Sequence, residues 1–332
     1  QKKGNDVVRI LPRTNDEVNE EWLTDKARYS FDSLSTNRLD VPLIKEVDFL
    51  MKDWRETSWE GVFKKLSEKM ADISPDFGIR IKLGPLSDLE TIIACENIRT
   101  SLKSKVRVEG YKKSENVKIN LDQPLNYRAT NINTKLEEAD LILLVNLDFK
   151  NEVPLFNTRF ANSVKKSGIP VGLVGANIDS TFDYEHIGFD LKDFIHLLEG
   201  NNKFLNKIIN AKSPLILFGE NCSDWNLNSF YPFLTKINKN MGFSVLNHNV
   251  SAAGLGEYGY TINSVNGSTE RMFIDINHIS SPKEIQQNGG FWIYIGSHGH
   301  DNLDNYNLIL PSTTYLEKES TYMNLTGLIQ KS

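Results

Sequence analysis

Leu141-Ile-Leu-Leu-Val145 decides how this chain is read. Five consecutive apolar residues between Asp140 and Asn146 have the length of a strand and no polar face, as a strand covered on both sides requires. Pro154 follows, and Phe156, Phe160 and Val164 then recur at i, i+4 and i+8. That spacing predicts an amphipathic helix opened by proline. Val171-Gly-Leu-Val-Gly175 supplies the next apolar strand. Strand, helix and strand within about 35 residues make a βαβ unit of ordinary size.

The pattern continues outward. Ser213-Pro-Leu-Ile-Leu-Phe-Gly219 repeats the strand signal, and Phe230, Phe233, Leu234, Ile237 and Met241 predict a helix with Pro232 in its first turn. Phe243 to Leu246, Met272 to Ile276 and Phe291 to Ile295 read as further strands. Toward the N-terminus, Ser58 is placed to cap a helix carrying Trp59, Val62, Phe63, Leu66 and Met70. Leu86, Leu89, Ile92 and Ile93 suggest another helix. Asp6 to Arg13 reads as a short strand stopped by Pro12, followed by a charged loop with Trp22 and Tyr29 as anchors. The expected fold is α/β, with doubly wound, mostly parallel sheets and a small irregular N-terminal lobe. The expected domains are a docking lobe over 1–56, an α/β domain from 57–135 with 296–332, and a Rossmann-like domain over 136–295.

Composition narrows the function. The 332 residues are 39% hydrophobic and 24% charged, enough to bury a core. Lys+Arg 38 against Asp+Glu 43 gives a net charge of −5, which argues against a dedicated nucleic-acid binder. No apolar run approaches the roughly 20 residues of a spanning helix. The two cysteines, Cys95 and Cys222, lie far apart, too few for a cysteine-ligated iron–sulfur cluster or a disulfide framework. The chain opens on Gln1, without a signal peptide, and is expected to be a processed product or a piece of something longer.

Candidate chemistry is sparse. Gly254-Leu-Gly-Glu-Tyr-Gly259 has the spacing of a dinucleotide loop, but Tyr260 to Gly267 is β-branched, Asn-rich and a poor helix. A flexible glycine-rich connection is the reading preferred. His298-Gly-His300, with Asp301 and Asp304, sits where an α/β sheet places its sites and could hold a metal, against the plain alternative of a polar loop. Glu137, Glu138 and Asp140, like Glu317 and Glu319, read as solvated surface. No catalytic, cofactor-binding or metal-ligating residue is assigned.

Two stretches carry a resemblance. One is Val8-Arg-Ile-Leu-Pro-Arg13 with Asn19-Glu-Glu-Trp-Leu-Thr-Asp-Lys-Ala-Arg-Tyr29. The other is Glu138-Ala-Asp-Leu-Ile-Leu-Leu-Val145 leading to Glu152-Val-Pro-Leu-Phe-Asn-Thr-Arg159. Ile309-Leu-Pro311, Glu317, Thr321, Tyr322, Asn324 and Gly327 add to them. In order and spacing these resemble the large iron–sulfur (75 kDa) subunit family of respiratory complex I, NADH:ubiquinone oxidoreductase. The similarity is to that family's C-terminal part, which has the fold of molybdopterin oxidoreductases.

The resemblance implies lost chemistry. Thr24 stands where related molybdenum enzymes have a cluster-ligating cysteine, while Lys26 and Arg28 persist, for which a salt-bridged structural role is expected. Asn146-Leu-Asp-Phe149 replaces a Gly- and Pro-containing loop that approaches phosphate, and Asp148 adds a repelling charge. Thr326-Gly-Leu328 replaces an E-G-R. The implied role is a structural or assembly subunit in the peripheral arm of a mitochondrial respiratory complex, on the matrix side of the inner membrane. It would support NADH-to-quinone electron transfer without a redox centre or catalytic residue of its own. Iron–sulfur clusters would sit on the missing N-terminal portion or on a partner chain. That portion and the other peripheral-arm subunits, flavoprotein subunits included, would be partners, with no nucleic acid and no membrane span. The alternative is a working molybdopterin-dependent oxidoreductase domain fed by a separate iron–sulfur protein.

Overall fold

The computed structural model describes residues 1–4, 6–47, 52–72, 78–102, 105–110, 123–220, 222, 225, 227–260 and 270–332. The chain divides into two units. The first comprises Gln1–Phe31, Asn116–His248 and Asn324–Leu328; the second comprises Asp32–Glu115, Asn249–Met323 and Ile329–Ser332.

The first unit is built on five parallel strands, ordered Gly242–Leu246, Pro214–Gly219, Leu141–Val145, Val171–Val174, Glu185–Gly188. Numbered along the chain, this is the Rossmann order 3-2-1-4-5. Alternate residues of each strand enter opposite cores. Ile142, Leu144, Leu215 and Leu217 meet Ile132, Leu136, Phe160 and Val164 on one face. Leu143, Val145, Ile216 and Phe218 meet Phe194, Phe204, Tyr231 and Leu234 on the other. Each such fully buried side chain contributes about 1.5–3 kcal/mol of transfer free energy. The helix Pro154–Ser167 starts on its proline and ends where Gly168 turns left-handed (φ 62°) and its N–H closes on the Val164 carbonyl.

The second unit has seven strands, ordered Lys52–Glu56, Leu43–Val47, Leu308–Pro311, Phe291–Gly296, Glu270–Ile276, Gly78–Leu83, Val106–Gly110. Its last five are parallel; the first two form an antiparallel edge. Along the chain the parallel strands run in the flavodoxin order 2-1-3-4-5. One face is aliphatic, with Ile79, Ile81, Val108 and Met272 under Val62, Ile92 and Leu255. The other carries Phe273, Trp292 and Tyr294 under Ile285, Leu303 and Tyr306.

Several boundaries differ from the sequence reading. The expected 136–295 domain ends near 248, because Glu270–Ile276 and Phe291–Gly296 pair with Gly78–Leu83 and not with the first sheet. The 57–135 segment is cut as well, since Ala129 and Ile132 pack in the first core. Within 296–332, Asn324–Leu328 belongs to the first unit, where Leu325 packs against that same core. The 1–56 lobe stops near 31, because Leu43 and Ile44 join the second sheet beside Ile309 and Leu308. Asp6–Arg13 is a strand only at Asp6–Val7, too short a pairing to extend. Pro232 lies inside the helix Leu227–Ile237, which starts earlier than its apolar spacing suggests.

Candidate functional site

In sheets of both orders a ligand site forms beyond the strand ends where the winding reverses. In the first unit that point lies between Leu141–Val145 and Pro214–Gly219. Asn146 leaves the first of these in the left-handed region (φ 46°), its N–H donating to the Val174 carbonyl at 2.7 Å. Its own carbonyl rests against Gly219, where a Cβ would overlap it. The two strand ends thus meet backbone to backbone, and the rim of the crevice is acidic. Asp148 caps the short helix Phe149–Glu152, accepting from the Lys150 N–H at 3.1 Å and the Asn151 amide at 2.7 Å. Glu152 accepts from the N–H groups of Asp148 and Glu220, both at 3.4 Å, and the Glu220 carboxylate meets the His248 ring. Beneath them the Cys222 thiol donates to the Val145 carbonyl at 3.2 Å, and burial, with Glu152 nearby, pushes its pKa up. A buried thiol of this kind is inert.

The second unit brings backbone together at its switch point in the same way, in mirror order. Asn277 turns left-handed (φ 50°) after Glu270–Ile276, and its carbonyl occupies the space a Cβ on Gly84 would need. On the aromatic face of this sheet, neighbouring strands place Glu109, Lys82, Asp275 and Tyr294 side by side. Asp275, 1% exposed, accepts from the Tyr306 hydroxyl at 2.5 Å and the Ser280 N–H at 3.2 Å. Burial still raises its pKa, as it does that of Glu109. Burial lowers the pKa of His278. Glu284, from the helix Pro282–Asn288, takes Arg80 at 3.0 Å and also Lys82; against the effect of its own burial, these cations hold its carboxyl below the ordinary range. Arg80 lies over Phe273, 4.6 Å from the ring centre. Sequence reasoning missed this cluster. Its trace is the alternation Gly78-Ile-Arg-Ile-Lys-Leu83, apolar on one face and cationic on the other.

Other sequence candidates have structural duties. His298 faces the Ser297 hydroxyl at 2.8 Å and the Ser33 carbonyl at 3.1 Å. His300 accepts from the Asn302 N–H at 3.1 Å and so caps the turn Asp301–Asn305. Asp304 accepts from the Trp54 indole at 3.1 Å. The stretch Gly254 to Gly259 is not a flexible connection, for Ala252–Glu257 is helical. A Cβ on Gly254 would stand 2.8 Å from Leu89 and 3.2 Å from Ile92, so the glycine permits close packing on the helix Leu89–Leu102. The carboxylates read as solvated surface are partly engaged. Asp140 accepts from the N–H groups of Lys212 and Ser213 at 2.7 and 2.9 Å. Glu317 binds Arg38 at 2.7 Å, and that hydrogen bond lowers its pKa to about 2. Glu319 pairs with Lys331 at 2.8 Å. Gly327 (φ 91°) shapes the turn Asn324–Leu328. Thr24 accepts from the Ala27 N–H at 3.1 Å and caps the helix Asp25–Tyr29. Among the described residues, Lys26 and Arg28 form no ion pair, contrary to expectation, because that five-residue helix buries no side chain and brings no carboxylate to them.

With this geometry in view, comparison with known proteins is informative. A model of the molybdopterin oxidoreductase family matches residues 38–332. A model of the NADH-ubiquinone oxidoreductase NDSU1/NuoG-like 4Fe-4S domain matches residues 1–32. Over 99% of its length the chain is 30% identical to the 78 kDa mitochondrial subunit of NADH-ubiquinone oxidoreductase from Neurospora crassa, covering 45% of that protein. It is 28% identical to the 75 kDa subunit from Reclinomonas americana, also over 99% of this chain and covering 51% of that one. The mitochondrial iron-sulfur protein 1 of NADH dehydrogenase from Solanum tuberosum is 29% identical, with 45% covered. The chain therefore spans about half the length of these relatives. A chain in the crystal structure of the formyltransferase/hydrolase complex of Methylorubrum extorquens shares the fold, with a TM-score of 0.59 and 10% identity over 87% of this chain and 92% of that one.

Neither group that these models imply fits the described residues. A pterin phosphate would meet the carboxylates of Asp148, Glu152 and Glu220 at the rim of this crevice. A cluster would need thiolates, yet Thr24 is engaged in its cap, Cys95 and Cys222 are buried in different units, and burial pushes the Cys95 pKa up to about 12. Among the described residues no three His, Cys, Asp or Glu side chains are arranged for a metal ion, and no helix is long and apolar enough to cross a membrane.

Proposed function

The chain belongs to the molybdopterin oxidoreductase family, and from that premise we propose that it is a non-catalytic, bracing subunit of the peripheral arm of mitochondrial NADH:ubiquinone oxidoreductase. It acts on the matrix side of the inner membrane. The observation that carries the reading is similarity along 99% of the chain to 75 and 78 kDa subunits of that enzyme. The bracing role is supported by the acidic rim of the first switch point, Asp148, Glu152 and Glu220, which is hostile to a phosphate. There the carboxylates are engaged, Asp148 and Glu152 accepting from backbone N–H groups. In this reading electrons pass through clusters on an N-terminal portion or companion chain, and this chain holds that portion beside its neighbours. A stable, specific association of that kind buries about 1,200–2,000 Å².

The test is a tagged copy of the full chain in its own cells. It is expected to migrate on native gels with a large complex that stains for NADH oxidation, and its depletion should remove that complex. A tagged chain that migrates alone, or that releases fluorescent oxidised pterin in proportion to protein, would overturn the reading and favour a molybdopterin enzyme.

A further inference from the structure

The aromatic face of the second sheet holds a run of rings in contact. Trp292 stacks on Phe273 with centroids 4.2 Å apart. It meets Tyr306 edge-on at 6.2 Å, and Tyr306 meets Tyr294 at 5.7 Å. All four are buried, and the half-buried Trp54 packs against the same core. Rings at such separations exchange electrons in short tunnelling steps, so an oxidising equivalent that reaches one of them is shared along the run. Where it settles is decided by the proton, because a neutral tyrosyl radical forms only when the phenol hydrogen has somewhere to go. The buried oxidisable rings differ in that respect. The Trp292 indole donates to the Gly289 carbonyl at 2.6 Å and the Tyr294 hydroxyl to the His298 carbonyl at 3.3 Å, and a peptide carbonyl is no base. Arg80, 5.9 Å from the Trp292 ring centre, adds a positive charge that opposes a tryptophan radical cation. Of the three, only Tyr306 donates to a carboxylate, Asp275, at 2.5 Å, the length of a charge-assisted bond. The Ser280 N–H points at both oxygens, 3.0 Å from the Tyr306 hydroxyl and 3.2 Å from Asp275 Oδ2.

We propose that Tyr306 is a redox-active tyrosine, which gives an electron to a one-electron oxidant and its phenolic proton to Asp275. The Tyr306 O–H bond breaks, an O–H bond forms on Asp275 Oδ2, and the electron leaves through the neighbouring rings to the oxidant, which is reduced by one electron. Tyrosyl radical and carboxylic acid are both neutral, so the step leaves no new charge on either group. Burial raises the Asp275 pKa and so makes the carboxylate a better proton acceptor, while the nearby Lys82 cation favours the ionised form that can accept. Tyr260 also donates to a carboxylate, Glu96. Arg99 grips that carboxylate at 2.6 and 2.7 Å and lowers its pKa to about 2, so it takes a proton poorly. Tyr306 is fully buried, which keeps solvent from quenching the radical. This chemistry does not depend on the function proposed above.

The experiment oxidises the purified full-length chain with photogenerated tris(bipyridine)ruthenium(III), a one-electron oxidant, and freezes it for paramagnetic resonance. Wild type should give a persistent tyrosyl signal, identified by its narrowing in protein made with ring-deuterated tyrosine. The radical oxygen should carry hydrogen bonds from the Ser280 N–H and from the acid formed on Asp275, seen as proton couplings that long exchange into deuterium oxide removes. Tyr306→Phe should lower the signal about tenfold or more, as should Asp275→Asn, which keeps the phenol and removes its base. Tyr294→Phe and Tyr260→Phe should keep the persistent signal. Amide exchange at 270–276 shows whether each variant retains the sheet. Where a variant loosens it, the wild-type couplings decide: a persistent radical without exchangeable hydrogen bonds is not Tyr306, and the proposal falls. It falls equally if wild type gives no persistent signal, or if the signal survives Tyr306→Phe in a chain with native exchange. A signal lost in Tyr306→Phe but kept in Asp275→Asn would remove Asp275 as the acceptor.

Discussion

The two sheets solve the same packing problem with different chemistry. In the first unit both faces of the central strands are aliphatic or aromatic, and Leu141–Val145 is buried at every position. In the second, one face is aliphatic while the other sets Arg80, Lys82, Glu109 and Asp275 among Phe273, Trp292 and Tyr306. The difference teaches that a doubly wound sheet tolerates charge inside when strand neighbours alternate in sign and every cation finds a carboxylate. It also separates the units by their response to protons. In the second unit the carboxylates and histidines with a displaced pKa include Asp88, Glu90, Glu96, Glu109, Asp275, His278, Glu284, His300 and Glu317. Displaced groups of the first unit include Lys135, Cys222 and Tyr231, which titrate outside the acid range.

The contrast is open to breaking in graded steps. Phe218→Ala removes a fully buried ring from the first sheet and should cost about 3–5 kcal/mol. In urea with amide exchange as the readout, protection at 214–219 and 141–145 should fall while 270–276 keeps its own. A smaller loss, about 1.5–3 kcal/mol, is expected for Glu284→Leu, which strands Arg80 and Lys82 without their shared acceptor. Adding Arg80→Met and Lys82→Met should recover most of it, because an apolar replacement of a whole buried ion group is near neutral. No recovery would mean that the ions, and not the packing, hold that face.

Acid gives the next contrast. Burial raises the Asp88 pKa, but Lys318, Thr91 and Ser320 outweigh it and bring it to about 2 from an ordinary 3.8. A depressed carboxylate stabilises the fold above its unfolded pKa, so Asp88 contributes roughly 2 kcal/mol that is lost as pH falls from about 4 through 2. His278, held neutral by burial below its ordinary 6.5, also weakens the second unit as pH falls through 6.5, because the unfolded chain takes the proton first. Asp275 and Glu109, with raised values, act in the opposite sense on further acidification. Exchange at 270–276 should therefore accelerate from pH 6.5 downward, and more steeply below 4, before any change at 141–145. Simultaneous loss in both sheets would dissolve the comparison. The smallest effect, about 1 kcal/mol, is expected for Thr24→Ala, which removes only the cap of the exposed helix Asp25–Tyr29. Faster exchange confined to the Ala27 region would check it.

The same contrast explains what could be read in advance. The first sheet announced itself because strands buried on both faces are continuous apolar runs, as Val171–Val174 and Pro214–Gly219 are. Gly78–Leu83 and Val106–Gly110 hid because arginine, lysine and glutamate alternate with their aliphatic residues, which reads as a surface. The crevices were half legible. Asp148 signalled a site hostile to phosphate, but nothing in Asn146 or Gly219 taken singly announces that one carbonyl fills the other's missing side chain.

The sequence by itself determined the α/β class, the βαβ unit around Leu141–Val145, the shortage of thiols and the resemblance that the family matches support. Those features are local: they depend on periodicity, residue type and short spacing. Only the tertiary structure decided that Glu270–Ile276 and Phe291–Gly296 join the second sheet and not the first, that Gly254 packs a helix, and that Arg159 reaches back to Asp16. Each of these depends on strand pairing or contact between residues far apart in the chain. Such partners are selected by the shape and charge of a folded surface, and no stretch of sequence contains both sides of it.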